Sequence, residues 1–413
     1  MDTSLFAERL EAVLVGVAMG DSLGLPYEGL SRNTVRRRLF GRYSPEHHAP
    51  EHRSQKSPTP RLRQTFCFGH DMISDDTEQT VLVAQAMLVG RGNAARFLRS
   101  FAWRYRIWLL LLPAGIGLAS LKAGLKLWFG FSPYHSGVFS AGNGLAMRSG
   151  VIGAVYYDQP TLVEEYVRLS TRMTHTDPMA LTGAMVIAKL VAWQLARPMR
   201  RSTSDDVKYI RWSDDEIEEI THILRNTSPD ETRWQNLVTQ LLAAYALERT
   251  PEEWADQLTE LMRPNASHQG SSVESRGISG FVYQTVPMTI FCWLRYADSM
   301  EEALAAVIRC GGDTDTTGAI VGALVGAGCG MEQIPTKWRD SLYDQPYSLH
   351  YLRRLSQALA TIRQPHSQNI QVPYCHVWIL PIRNLFFIGM ILIHVVLRII
   401  RWMADRLLDL FKR

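Results

Sequence analysis

Gly311-Gly312-Asp313-Thr314-Asp315-Thr316-Thr317-Gly318-Ala319-Ile320-Val321-Gly322-Ala323-Leu324-Val325-Gly326 is the stretch that decides how this chain is read. A glycine-led turn with two aspartates runs straight into an apolar helix whose glycines recur every four residues, at 318, 322 and 326. A second stripe lies near the start of the chain, at Gly16, Gly20 and Gly24. Glycine inside a helix costs about 1 kcal/mol relative to alanine, so six of them call for a reason. The reading is that each stripe lets another backbone approach and brings the acidic helix ends together. A membrane dimer motif does not fit, because Asp21 interrupts the first stripe and Asp313 and Asp315 abut the second.

Helical apolar spacing or high helix propensity recurs at 14–23, 77–89, 162–173, 180–195, 237–247 and 317–327, while period-two alternation is scarce. The chain therefore reads as all-α. Of its 413 residues 46% are hydrophobic and 20% charged, and the net charge of +4 is too small to argue for a nucleic-acid partner. Five scattered cysteines without a CxxC pair speak against a disulfide framework or a zinc site and fit a reducing, cytoplasmic setting. The N-terminus, with Asp2, Glu8 and Glu11, reads as a helix start and not as a signal peptide.

Three stretches read as surface excursions: 31–64, rich in Arg, Pro, His and Ser and expected to be an irregular, solvated loop; the polar linker 197–206, with a charged helical segment after it; and the Gly/Ser/Asn-rich 264–277. The organisation expected is a main domain over 1–363, a hinge at 364–376 and an apolar, basic-flanked helical tail at 377–413. Its apolar run, 385–397, is shorter than the roughly 20 residues that span a bilayer. An extra helix packed on the globule and an interfacial membrane contact are the two readings of that tail.

Candidate chemistry gathers in five places. Ser74-Asp75-Asp76-Thr77 opens a helix; Asp75 and Glu78 fit a capping box, yet one carboxylate is enough for a cap and two make an oxygen cluster suited to a hard divalent cation. Asp313 and Asp315, at i and i+2, can converge on one ion. Four carboxylates meeting without cations would repel. Glu28 lies just beyond Pro26, which ends the first glycine helix. Gly142-Asn143-Gly144 offers backbone N–H groups to an anion, with Met147 close behind, and His175 sits at a helix junction, Thr174-His175-Thr176-Asp177-Pro178.

Taken in order, G-x-x-x-G-D-x-x-G-x-P-x-E, S-D-D-T, G-N-G-x-x-M-R, T-H-x-D-P and G-G-D-T-D-T-T-G-A-I-x-G-A resemble the ADP-ribosylglycohydrolase family over roughly residues 5–359. The resemblance implies a compact multi-helix domain with two Mg²⁺, replaceable by Mn²⁺, held by Ser74, Asp75, Asp76, Asp313, Asp315 and Thr316. Serine stands at 74 where the family usually has threonine. Glu28 or Asp75 would move the proton. Gly142, Asn143, Gly144, Met147 and His175 would line the ADP-ribose site. The implied partner is an ADP-ribosylated protein or another ADP-ribose conjugate. A same-fold metal hydrolase with another substrate and a catalytically silent ADP-ribose-binding relative are the rival readings.

Overall fold

The computed structural model describes residues 1–40, 62, 72–200, 212–262, 277–342, 345–363, 371–389, 392 and 396. Among these it is helical, with isolated bridges and no strand. The helices in chain order are α1 (Thr3–Gly24), α2 (Arg32–Phe40), α3 (Asp75–Gly90), α4 (Ala94–Leu110), α5 (Leu118–Trp128) and α6 (Ala146–Val155). Next come α7 (Pro160–Thr174), α8 (Pro178–Leu195), α9 (Asp214–Thr227), α10 (Thr232–Ala246) and α11 (Pro251–Leu261). The last are α12 (Val282–Tyr296), α13 (Met300–Arg309), α14 (Thr314–Cys329), α15 (Thr336–Ser341) and α16 (Leu349–Ala360).

The middle of the molecule is the antiparallel pair α1 and α14. Every residue of α14 is buried, and so is α1 from Arg9 onward. Such all-round burial matches their sequences, which carry small and apolar side chains on every face. The glycines set the spacing. A Cβ added at Gly16 would lie 2.2 Å from the carbonyl oxygen of Gly322, at Gly20 1.9 Å from that of Gly318, and at Gly24 2.2 Å from that of Thr314. No side chain fits there. Around this pair α3 and α16 lie against α1, while α6, α8, α12 and α13 lie against α14. Arg9, 2% exposed, closes two helix ends at once: its guanidinium donates to carbonyls of Gln194, Leu195, Arg197 and Ala327 at 2.7–2.9 Å.

Two sequence expectations change. Residues 32–40 form helix α2 instead of irregular loop: Val35 is fully buried and anchors the turn, and arginine is a good helix former. Arg32 is not a solvated cation but a buried one, paired with Asp256 at 2.7 Å. The remainder of the basic stretch at 41–61 and 63–71 lies outside the described residues, as do 201–211 and 263–276. The charged segment after residue 206 folds as α9, α10 and α11. Ser213–Glu216 and Thr250–Glu253 form capping boxes at α9 and α11.

Part of the tail is described, as helix over 380–389. It packs on the globule. Leu380, Asn384 and Phe387 point inward at i, i+4 and i+7, and Phe387 joins Leu25, Met72 and Ala114 in a small satellite core. Arg383 forms a nearly buried ion pair with Glu78 and donates to the carbonyl of Ile73, and Asn384 donates to the carbonyl of Leu111 at 2.8 Å. Val377–Gly389 is a short apolar helix. The described helix long and apolar enough to cross a membrane is α8, and most of it is buried in the core.

Replacing Gly20 by alanine is expected to cost about 3 kcal/mol of unfolding free energy, because both facing elements are backbone and cannot yield. Arg383→Ala is expected to cost about 3 kcal/mol by leaving the Glu78 carboxylate buried beside Trp108 without its cation. Denaturant unfolding of each variant measures these losses, and a wild-type midpoint would refute the corresponding contact.

Candidate active site

The end of α1 and the start of α14 meet because the glycine contact is antiparallel. Thr314 Oγ1 donates to the carbonyl of Gly24 at 2.8 Å and so satisfies the last turn of α1. Past Gly24 a 3-10 turn, Leu25–Tyr27, turns the chain to Glu28. Gly29 N–H donates to the Gly312 carbonyl and Gly312 N–H to the Leu30 carbonyl, at 2.8 and 2.9 Å. Gly312 has φ +87°, and a Cβ there would stand 2.0 Å from the carbonyl oxygen of Ile278. Only glycine makes this turn. Asp313 N–H donates to that same Ile278 carbonyl at 2.7 Å, and Asn143 N–H to the Gly280 carbonyl at 3.0 Å. Four connections, at 28–30, 142–144, 278–281 and 311–313, are thereby laced around the first turn of α14.

The start of α3 is brought to the same place by Asp21, a residue not singled out as a site residue from the sequence. It is fully buried, and its carboxylate accepts from Ser74 N–H at 3.0 Å, Thr77 N–H at 3.1 Å and Thr77 Oγ1 at 2.5 Å. A carboxylate on a helix N-terminus is favourable, and here it docks α3 onto α1. Its sequence signal was a lone acid inside an apolar, glycine-striped helix. The capping box expected from Asp75 and Glu78 is not formed. Ser74 is the N-cap, accepting from Asp76 N–H at 3.3 Å, and Glu78 turns away to accept from Trp108 Nε1 and Arg383. The reason is steric order: with Ser74 capping, Glu78 falls on the buried face of α3 toward α4.

Oxygens of Asp21, Asp76 and Asp315 lie within 4.8 Å of one another. Asp21 has its oxygens committed to the α3 backbone, so we assign it to positioning the cluster. Asp76 is different. Its Oδ2 accepts from Ser74 Oγ at 3.1 Å and Thr316 Oγ1 at 3.2 Å, while its buried Oδ1 has no hydrogen-bond partner. Asp315 Oδ1 accepts from Thr316 N–H at 2.9 Å, Asp75 Oδ2 from Gln79 Nε2 at 2.9 Å, and Asp313 Oδ2 from Asn143 Nδ2 at 2.8 Å. Burial, and then the neighbouring carboxylates, hold Asp75, Asp76 and Asp315 well above the usual carboxylate range. Burial raises Asp21 to about 6. Glu28, at an exposed position just past α1, is pushed up to about 7, first by burial of its carboxyl group and then by Asp313 and Asp21. A set of oxygen donors with an orphaned buried carboxylate oxygen fits hard divalent cations, which would repay both the repulsion and the missing partner.

On the far side of Asp313 the other expected residues come together. A Cβ at Gly142 would lie 3.3 Å from His175 Nε2, and one at Gly144 3.9 Å from His175 Cε1 and 4.0 Å from Met147 Cε. The open row of N–H groups expected at 142–144 is partly used. Gly142 N–H donates to Ser140 Oγ at 3.3 Å and Asn143 N–H to Gly280, which fixes the loop's shape. His175 is 2% exposed and pushed down to about 3 by burial and Arg148, so it is neutral. A buried relay connects it to the acidic cluster. Thr174 Oγ1 lies 2.9 Å from His175 Nδ1 and accepts from Arg148 Nη2 at 2.7 Å; Arg148 Nη1 donates to Gln79 Oε1, and Gln79 holds Asp75. Fully buried Arg148 and Gln79 were also missed as single residues, although the arginine stood in the G-N-G-x-x-M-R motif.

The family model described as ADP-ribosylglycohydrolase matches residues 2–369. An uncharacterized protein of Archaeoglobus fulgidus is 30% identical over 82% of this chain and 93% of its own. ADP-ribosylhydrolase ARH3 of Gallus gallus is 25% identical over 81% of this chain and 88% of its own. ADP-ribosyl-[dinitrogen reductase] glycohydrolase of Rhodospirillum rubrum is 21% identical over 81% and 90%. A solved structure titled ADP-ribosylglycohydrolase-related protein complex shares the fold, with a TM-score of 0.55 at 22% identity over 86% of this chain and 98% of that one. The acidic cluster thus sits in a chain that belongs to the ADP-ribosylglycohydrolase family of hydrolases.

Proposed function

We propose that this chain releases ADP-ribose from an ADP-ribosylated protein side chain or a related ADP-ribose conjugate, with two Mg²⁺, or Mn²⁺ in their place, between the starts of α3 and α14. The unpartnered, buried Oδ1 of Asp76 carries the metal part of this reading. The family membership and the names of the chicken and Rhodospirillum relatives support the substrate class. Asp76, Asp315 and Asp75, with Asp313, Ser74 and Thr316, are the residues that would hold the ions. When bound, the ions supply charge neutralisation and Lewis acidity at the ribose hydroxyls and at a water.

The chain's own groups divide the rest of the work. Glu28 occupies the most exposed position among the carboxylates of the cluster, and its raised proton affinity suits taking a proton from the attacking water near neutral pH. Asp75 is buried and tied to Gln79, which favours a holding role over proton transfer. Neutral His175 and the 142–144 turn, fixed by Phe281 and Gly280, would orient the ADP-ribose without adding charge. A cytoplasmic setting remains part of the proposal and rests on the scattered cysteines.

Release of ADP-ribose is expected from at least one of a panel of ADP-ribosylated proteins and conjugates in Mg²⁺ and not in chelator. Asp76→Ala should abolish it while the circular dichroism stays helical. Turnover in chelator, or in that variant, would overturn the metal reading.

The carboxylate shifts also set a pH dependence. In Asp21 and Glu28 the folded-state values, about 6 and about 7, exceed the ordinary ones. The folded chain without metal therefore binds more protons than the unfolded chain. Stability held below about pH 4 is lost as pH rises through about 7. Asp75, Asp76 and Asp315, which would hold the cations, are raised in the same sense, so a cation must displace their protons. The rise in melting temperature caused by Mg²⁺ should accordingly be larger at about pH 8 than at about pH 5.5. A rise independent of pH would contradict the protonated cluster.

A further inference from the structure

We propose that the outer faces of α4, α5 and the tail helix form one surface that docks on an anionic lipid bilayer. On α4 the outward side chains include Trp103 and Leu110, 59% and 62% exposed, beside the exposed Arg99. On α5 Leu118, and at its C-cap Phe129, are 74% and 81% exposed, with Lys122 between them. On the tail helix Ile382 and Phe386 stand out, opposite the side that Asn384 and Phe387 bury. A solvated helix face carries mixed charges and few large apolar groups; the faces of α4 and α5 set aromatic and aliphatic groups beside cations, and the tail face adds apolar groups.

The three faces adjoin. Trp128 Nε1 donates to the Arg106 carbonyl and Arg106 Nε to that of Leu127, which joins α5 to α4. Asn384 donates to the carbonyl of Leu111, directly after α4, and Trp108 and Arg383 share Glu78. The charge pattern chooses the partner. Residues 94–129, which carry α4 and α5, hold no Asp or Glu although the whole chain nets only +4, and among their cations Arg99 and Lys122 stand exposed on this face. A water-facing or protein-facing surface has no need of that, whereas an anionic bilayer attracts each interfacial cation and takes up Trp, Phe and Leu side chains. The face also reaches the acidic cluster: a Cβ at Gly115, between α4 and α5, would lie 3.0 Å from Asp75 Oδ1. Docking would hold the cluster close to conjugates at the lipid surface, and it stands whichever conjugate is cleaved.

The test is sedimentation of the full-length chain with vesicles of phosphatidylcholine alone or with about one-third phosphatidylglycerol, in about 0.1 M and 0.5 M NaCl. Expected is at least about tenfold stronger partition onto the anionic vesicles at low salt, weakened at high salt. A Trp103→Glu, Phe129→Glu double variant should lose about tenfold of it with an unchanged melting temperature, since both side chains are exposed. Absent partition, equal partition onto neutral vesicles, or partition untouched by the double variant would each overturn the proposal. So would a dimer split by that variant in a chain that leaves the vesicles alone.

Discussion

The structure depends on one contact, the backbone-to-backbone approach of α1 and α14. Gly16, Gly20 and Gly24 face Gly322, Gly318 and Thr314 at distances that admit no side chain. The antiparallel sense of that approach carries a consequence. It places the C-terminal end of α1 against the N-terminal end of α14, so Gly24 and Thr314 share a hydrogen bond and Glu28 lies close to Asp313. Asp21, one turn back on α1, then draws in the start of α3 through the Ser74 N–H, the Thr77 N–H and the Thr77 hydroxyl. Six glycines weaken the isolated helices, and close packing in a buried pair offsets that cost.

What this assembly creates is a concentration of carboxylates that would not persist in the apolar core without protons or cations. Burial and mutual repulsion raise Asp75, Asp76 and Asp315. Each of these carboxylates accepts a local hydrogen bond through one oxygen, but Asp76 Oδ1 is buried without one. A hard divalent cation beside it would supply the missing partner. On the other flank, neutral His175 is fixed by a relay through Thr174, Arg148 and Gln79 that ends on Asp75, so the two halves of the site share one rigid frame.

Much of this was legible in the sequence because its signals are local. Helical periodicity gave the all-α class, and the glycine spacing announced the close pair. The paired acids at 75–76 and 313–315 stood at helix starts, where the structure keeps them. Less legible was everything that depends on contacts across the chain. Asp21 looked like an interruption of an apolar stripe, yet it docks α3. Glu78 fitted a capping box by spacing, but the partners that take it, Trp108 and Arg383, lie 30 and 305 residues away. Helix α2 was hidden in an arginine-rich stretch because a single buried valine, Val35, anchors it. For the tail the sequence left two readings, a helix packed on the globule and an interfacial membrane contact, and burial of Leu380, Asn384 and Phe387 packs its first turns on the globule.

The measurement that bears most directly on the central claim is anomalous diffraction from crystals of the chain grown with Mn²⁺. The account predicts two strong peaks between the starts of α3 and α14, one of them in contact with Asp76 Oδ1. Peaks elsewhere, or none at a concentration that supports turnover, would contradict it.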